Sequence, residues 1–340
     1  MADETKERRK ERLDRGIKVR TDGVYAISSW AEMTYLLGPR IVFIFGLLAL
    51  PFLLSHFPYW QRVISIICIY ALLAIGFDFL ANYVGLVSLG GGFYIGVGAY
   101  TAALLNTKLG LAPILTIPLA TILGGAICTV LFLPCLPLRG VYFAIVSLMY
   151  PLLAMRLIEA LDIFGGTDGI LGADGFSSVW SERALLIFSV LIFVFSLRRM
   201  VREDIGLVFR GVKDNDQAIR ASGININVYK AMGVYIASAL GCLAGATLAH
   251  TYMWAGLSQF ALDFSIIPIA ATVVGGGGTL IGPVLGCLIL VPISELLRDF
   301  GTLRIAVYAI ILTGFVVYKS EGIMNYGTRK YQQFERWVQI

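Results

Sequence analysis

Apolar residues run along most of this chain without the polar breaks that a water-facing surface requires. Runs of helical length fall at 41–57, 62–80, 86–105, 113–136, 141–161, 184–197, 228–254, 263–278, 281–297 and 302–318. A helix needs about 20 mostly apolar residues to cross a bilayer, so the pattern predicts an all-α bundle of about ten membrane spans. The run at 184–197 is short, and the glycines 275–278 alone divide the last-but-two span from the next. Two longer hydrophilic interruptions remain, 162–182 and 198–227.

Composition agrees. Hydrophobic residues are 58% of the 340 and charged residues only 14%, whereas a soluble chain keeps roughly a quarter of its residues charged. The class is a polytopic membrane protein. Lys and Arg then set orientation, because they favour the cytoplasmic side. Nine precede Ile41, Arg139 follows, seven run from Arg198 to Lys230, and four lie from Lys319 onward, out of 27. An even number of spans with the N-terminus inside puts all of these on one face. The expected organisation is a basic cytoplasmic tail (1–40), a membrane domain (41–318) holding the loop 198–227, and a cytoplasmic C-terminal tail (319–340). The first tail is too long in basic residues for a secretory signal, and no small-residue cleavage site follows. It either fixes orientation or binds anionic lipid head groups.

Candidate chemistry is sparse. Cys68, Cys128, Cys135, Cys242 and Cys287 each sit inside an apolar run with no CxxC pair, and His56 and His250 are the only histidines. Metal sites need clustered ligands at short spacing, so no metal is expected and the cysteines read as small hydrophobes. No Gly-Lys-Ser/Thr follows the glycines 275–278, which excludes a phosphate loop there. With no nucleophile beside a base either, the chain reads as a non-enzyme with no catalytic residues, no cofactor and no nucleic-acid partner.

The inner interruption, "RRMVREDIGLVFRGVKDNDQAIRASGININVYKAMG", contains a helix signature. Asp214 suits an N-cap with Gln217 three residues on, as in a capping box. Ala218, Ile219 and Ala221 form a small apolar face, and Gly223 suits the left-handed position that ends a helix. Asn225 or Asn227 caps the span that follows. A helix of about two turns is marginal unless something packs on it. It either connects two spans or inserts into a cytosolic partner.

Glycine is dense in "GLVSLGGGFYIGVGAYTAALL", residues 85–105. Gly96 and Gly98 suit close helix approach. Ser88 followed by Gly90, Gly91 and Gly92 suits a break between Ser88 and Gly92 where backbone lines a cavity; tight packing alone is the alternative. In the outer loop, Gly166, Thr167, Asp168 and Gly169 of "GGTDG" suit a turn, or a contact with solute or a delivering protein. Asp78, Arg156, Glu159, Asp263 and Glu295 lie in or at the edges of apolar runs, where charges face a cavity, a partner or the interface. Arg156 and Glu159 are three apart and can pair on one helical face.

These segments, with "LRGVYFAIVSL", "GGTDGI" and "VVGGGGTLIGPVLG", stand in the order seen in branched-chain amino acid ABC transporter permeases. The chain resembles the LivM-type subunit of that family over about residues 60–300. The resemblance implies a multi-pass permease of the bacterial inner membrane, with both termini cytoplasmic, carrying branched-chain or related hydrophobic amino acids. It implies a second, LivH-type permease, two cytosolic ATPase subunits that bind the ATP, an extracytoplasmic solute-binding protein and a lipid bilayer as partners. The coupling segment is then Arg210, Asp214, Gln217, Ala218, Ile219, Ala221 and Gly223. The passage set is Asp78, Ser88, Gly90, Gly91, Gly92 and Tyr94. Gly91 replaces a customary histidine and Asp78 a common asparagine. Importers of urea, amides or aromatic acids share this architecture. A secondary transporter driven by an ion gradient is the reading from another class, with Asp78 its best ion-carrying residue.

Overall fold

The computed structural model describes residues 30–138 and 140–297, with 310, 313–315, 317 and 322–328 beyond them. The expected span at 302–318, most of both tails and Arg139 therefore lie outside the described residues, apart from the positions just given. The chain divides into two compact units, residues 1–47 and 48–340. Within the first, residues 30–47 are helical, part of α1 (Trp30–Leu53).

The second unit is a helical bundle. Its helices are α2 (Pro58–Phe79), α3 (Gly91–Leu109), α4 (Pro113–Phe132), α5 (Val141–Leu161), α6 (Val179–Met200), α7 (Asp204–Asp214), α8 (Asp216–Ala221), α9 (Ile226–Tyr252), α10 (Asp263–Gly275) and α11 (Gly282–Leu296). Among the described residues strand is confined to one antiparallel pair, β1 (Ile170–Leu171) with β2 (Trp254–Ala255). The architecture is all-α. Nine of the ten expected apolar runs coincide with helices.

Local chemistry sets the helix ends. Pro58 and Pro113 open α2 and α4, where a missing N–H is harmless. Ser178 caps α6 by accepting from the Trp180 amide, and left-handed Gly110 ends α3. Six segments are long and apolar enough to cross a membrane, and Ile41–Leu53 and Gly282–Leu296 are shorter apolar helices. The expected run at 184–197 proved short only because polar residues flank it: α6 extends over 22 residues.

Burial ranks the helices. In Pro58–Val84 the apolar window is 89% buried and in Ile226–Tyr252 78%, against 28% for Val141–Leu161. So α2 and α9 form the centre, while α5 turns most of its apolar surface outward. Glycine makes the tightest seam. A Cβ at Gly98 would collide with the Cys242 backbone, and one at Gly245 with the Ile95 carbonyl. Backbone meets backbone between α3 and α9, as small residues allow in membranes.

Candidate functional site

The loop 198–227, which the charge pattern assigns to the cytoplasm, packs on one end of the bundle. There α2 loosens into a π-helical turn, Leu80–Val84, and stops at left-handed Gly85. The tight fit explains the glycine: a Cβ at Gly85 would lie 3.0 Å from the Lys213 Cα of α7. Phe209 of α7 is fully buried edge-on to Phe79, with ring centres 5.4 Å apart. Lys213 Nζ donates to the Asn82 carbonyl at 2.9 Å, and the Arg210 guanidinium lies 5.8 Å from the Tyr83 ring centre. So α7 is seated on the last turns of α2.

The same turns hold the glycine hairpin between α10 and α11. Asp78, fully buried, accepts from the Gly278 amide at 2.6 Å, the Leu280 amide at 2.9 Å and Asn82 Nδ2 at 2.7 Å. Tyr83 adds a hydroxyl bond to the Gly278 carbonyl at 2.6 Å. A buried carboxylate is tolerable when donors of this kind surround it. Asp78 is therefore directed at the loop Gly278–Leu280.

Two helices, not one, occupy the inner interruption. Asp214 is the last residue of α7, and the cap of α8 is Asn215, which accepts from the Gln217 and Ala218 amides at 3.0 and 3.2 Å. The expected Asp214 cap is thus displaced by one residue, because α7 runs to Asp214 and Asn215 is the first residue in extended conformation. Gly223 does take the left-handed conformation, φ 81°, and Asn225 caps α9. No residue of α8 is buried. Ile219 leans on Gly211 while Ala218 and Ala221 face outward. A part-buried ion pair, Lys230 Nζ to Asp216 at 3.1 Å, braces α8 against α9. Beside it lies a groove of about 310 Å³ lined in part by Gly85, Gly140, Asp214, Gln217 and Lys230.

From Gly85 at this end inward, residues 85–90 are non-helical, so the break begins earlier than Ser88 and α3 starts at Gly91. The amides it frees are taken by hydroxyls. Leu89 donates to Ser147 Oγ at 2.8 Å, Gly90 to Ser88 Oγ at 3.3 Å and Gly92 to Ser265 Oγ at 3.0 Å. Irregular backbone inside a membrane needs such partners. Ser88 Oγ also lies 3.0 Å from the Tyr94 hydroxyl. Ser88, Gly91 and Tyr94 line one cavity of about 20 Å³ with Phe264 and Ser265, large enough for about one water. Gly91 and Gly92 pack directly on the backbone at Phe264 and Ala261. Both glycine readings therefore apply: a break, and close packing.

The opposite end is held by side chains that sequence did not single out. Asn106 Nδ2 donates to Asp174 at 2.8 Å, and its Oδ1 accepts from the Asp174 amide at 2.8 Å. The His250 ring joins the Asp174 carbonyl at 2.7 Å and the Thr116 hydroxyl at 2.6 Å. Gly166, Thr167, Asp168 and Gly169 form turns, with the Asp168 amide on the Gly165 carbonyl at 3.1 Å and Trp254 Nε1 donating to the Asp168 carbonyl at 2.8 Å. Arg156 pairs with Glu159 at 2.8 Å as their spacing predicts. The five cysteines are buried and free, and no metal-binding cluster occurs among the described residues.

The family described as branched-chain amino acid transport system / permease component matches residues 59–318. The chain belongs to this family. Among its relatives is the high-affinity branched-chain amino acid transport system permease protein LivM of Escherichia coli (strain K12), 26% identical over 293 residues, 77% of this chain and 69% of the relative. LivM of Salmonella typhimurium is 26% identical over 287 residues, 75% and 68% respectively. The probable branched-chain amino acid transport permease protein LivM of Methanocaldococcus jannaschii is 26% identical over 224 residues, 62% and 65%. No solved structure matches the chain. This permease family membership covers every element of the site described above.

Proposed function

We propose that this chain is the LivM-type permease subunit of an ATP-driven importer of branched-chain amino acids, in a bacterial inner membrane with both termini cytoplasmic. It pairs with a related permease and receives solute from an extracytoplasmic binding protein. Two cytosolic ATPase subunits bind the ATP and seat on the end that carries α7 and α8. The observation that carries this reading is the exposed wedge α8, braced by Asp216–Lys230 and joined through α7 to the turns that hold the glycine hairpin. A push on α8 reaches Lys213 and Arg210, then Asn82 and Tyr83, then Gly278. The route consists of packed and hydrogen-bonded groups, the physical requirement for coupling between sites.

The test is uptake by proteoliposomes holding the complete complex. Labelled leucine, isoleucine and valine enter only with ATP and binding protein. Ala218→Glu, which places a charge on the outward face of α8, lowers uptake at least tenfold while the ATPase subunits still turn over. Undiminished uptake by this variant, or uptake by the permease without ATP, overturns the proposal.

A further inference from the structure

At the end of the bundle remote from α8, the first turns of α2 and α6 enclose a cleft of about 510 Å³. That is within the usual range for a small-molecule site, about 300–1,000 Å³. Its walls include Gln61 and Arg62 of α2, Glu182 and Arg183 of α6, and the rings of Phe176 and Trp180. Arg183 is 5% exposed, Glu182 8% and Gln61 9%. Arg183 Nε is buried with no hydrogen-bond partner among the described residues. Neither Arg183 nor Glu182 enters an ion pair there. The Trp180 ring, 5.8 Å from the Arg183 guanidinium, orients that group.

A buried charge held in no ion pair is costly and marks a ligand path in membrane proteins. The pair of signs narrows the ligand. Glu182 would repel a simple anion, and Arg183 with Arg62 would repel a simple cation. A molecule that carries a carboxylate and an ammonium on the same carbon satisfies both. We propose that this cleft is a subsite for the zwitterionic head of an α-amino acid, its carboxylate on Arg183 and its ammonium on Glu182, with Phe176 and Trp180 flanking the apolar side chain. The subsite rests on the importer reading given above and adds a place where solute is held by this subunit. Zwitterionic lipid head groups share part of this chemistry, so the test separates the two sources.

The complex, without its binding protein, is placed in nanodiscs of phosphatidylglycerol alone, and labelled leucine is measured by scintillation proximity. Leucine binds saturably. 4-Methylpentanoate, which lacks the ammonium, and isoamylamine, which lacks the carboxylate, compete at least tenfold more weakly than isoleucine. Arg183→Gln and Glu182→Gln each weaken leucine binding tenfold or more, while Arg156→Gln does not. Should a variant fail to assemble, the analogue series on the unaltered complex decides. Equal competition by the two analogues, unweakened binding by Arg183→Gln, or phosphoethanolamine binding where leucine does not, overturns the proposal. Absence of leucine binding alongside intact ATP-driven leucine uptake overturns the subsite and leaves the importer reading standing; absence of branched-chain uptake by the full complex overturns the importer reading itself.

Discussion

Asp78 of α2 and Arg183 of α6 are both buried ionisable side chains, and the two ends of the bundle treat them in opposite ways. Around Asp78 three donors converge, two of them backbone amides of the glycine hairpin. Around Arg183 there is an aromatic face and a cleft, and its Nε is unpartnered. The first arrangement is a finished structural joint. The second is a site left incomplete by this chain alone. Burial of a charge therefore carries no single meaning here; the donors and acceptors that surround it decide between support and recognition.

The contrast predicts effects of opposite sign. Asp78→Ala strips the acceptor from the Gly278 and Leu280 amides and lowers stability by about 3 kcal/mol. Thermal unfolding of the purified chain in detergent should show a clear fall in midpoint, and ATP-driven uptake should be lost with it. An unchanged midpoint would mean that the hairpin does not depend on the carboxylate. Arg183→Leu removes a buried charge that forms no ion pair among the described residues and should leave stability unchanged or raise it by about 1 kcal/mol, even as leucine binding falls. A midpoint drop comparable to that of Asp78→Ala would give Arg183 a structural role and erase the contrast. Arg156→Gln is the baseline. Its pair with Glu159 is 79% and 42% exposed, so the change should stay within about 0.5 kcal/mol with uptake intact.

Sequence made the helices legible because membrane spans announce themselves by apolar length, and nine expected runs coincide with them. Arg156–Glu159 was legible because a helix fixes what lies three residues away. Asp78 was not: its donors Gly278 and Leu280 stand 200 and 202 positions along the chain, beyond any local pattern. The cap of α8 failed by one residue for a different reason. Asp214 and Asn215 both carry a suitable oxygen, and only the reach of α7 decides which becomes extended. The His250–Thr116–Asp174 contacts arise where three helices or loops converge, and single-residue chemistry gave no signal for them. The π-helical turn of α2 was equally silent, since Leu80–Val84 reads as ordinary helix.

The direct contact of α3 with α9 at Gly98 and Gly245 limits how this permease can move. At these two points main chain rests on main chain, with no flexible side chain between to be compressed or reshuffled. Sliding either one along the other would drive a β-carbon into a carbonyl within a single residue step. Any rearrangement that opens a way through the bilayer must therefore carry these helices together, as the fixed axle about which the remaining segments swing.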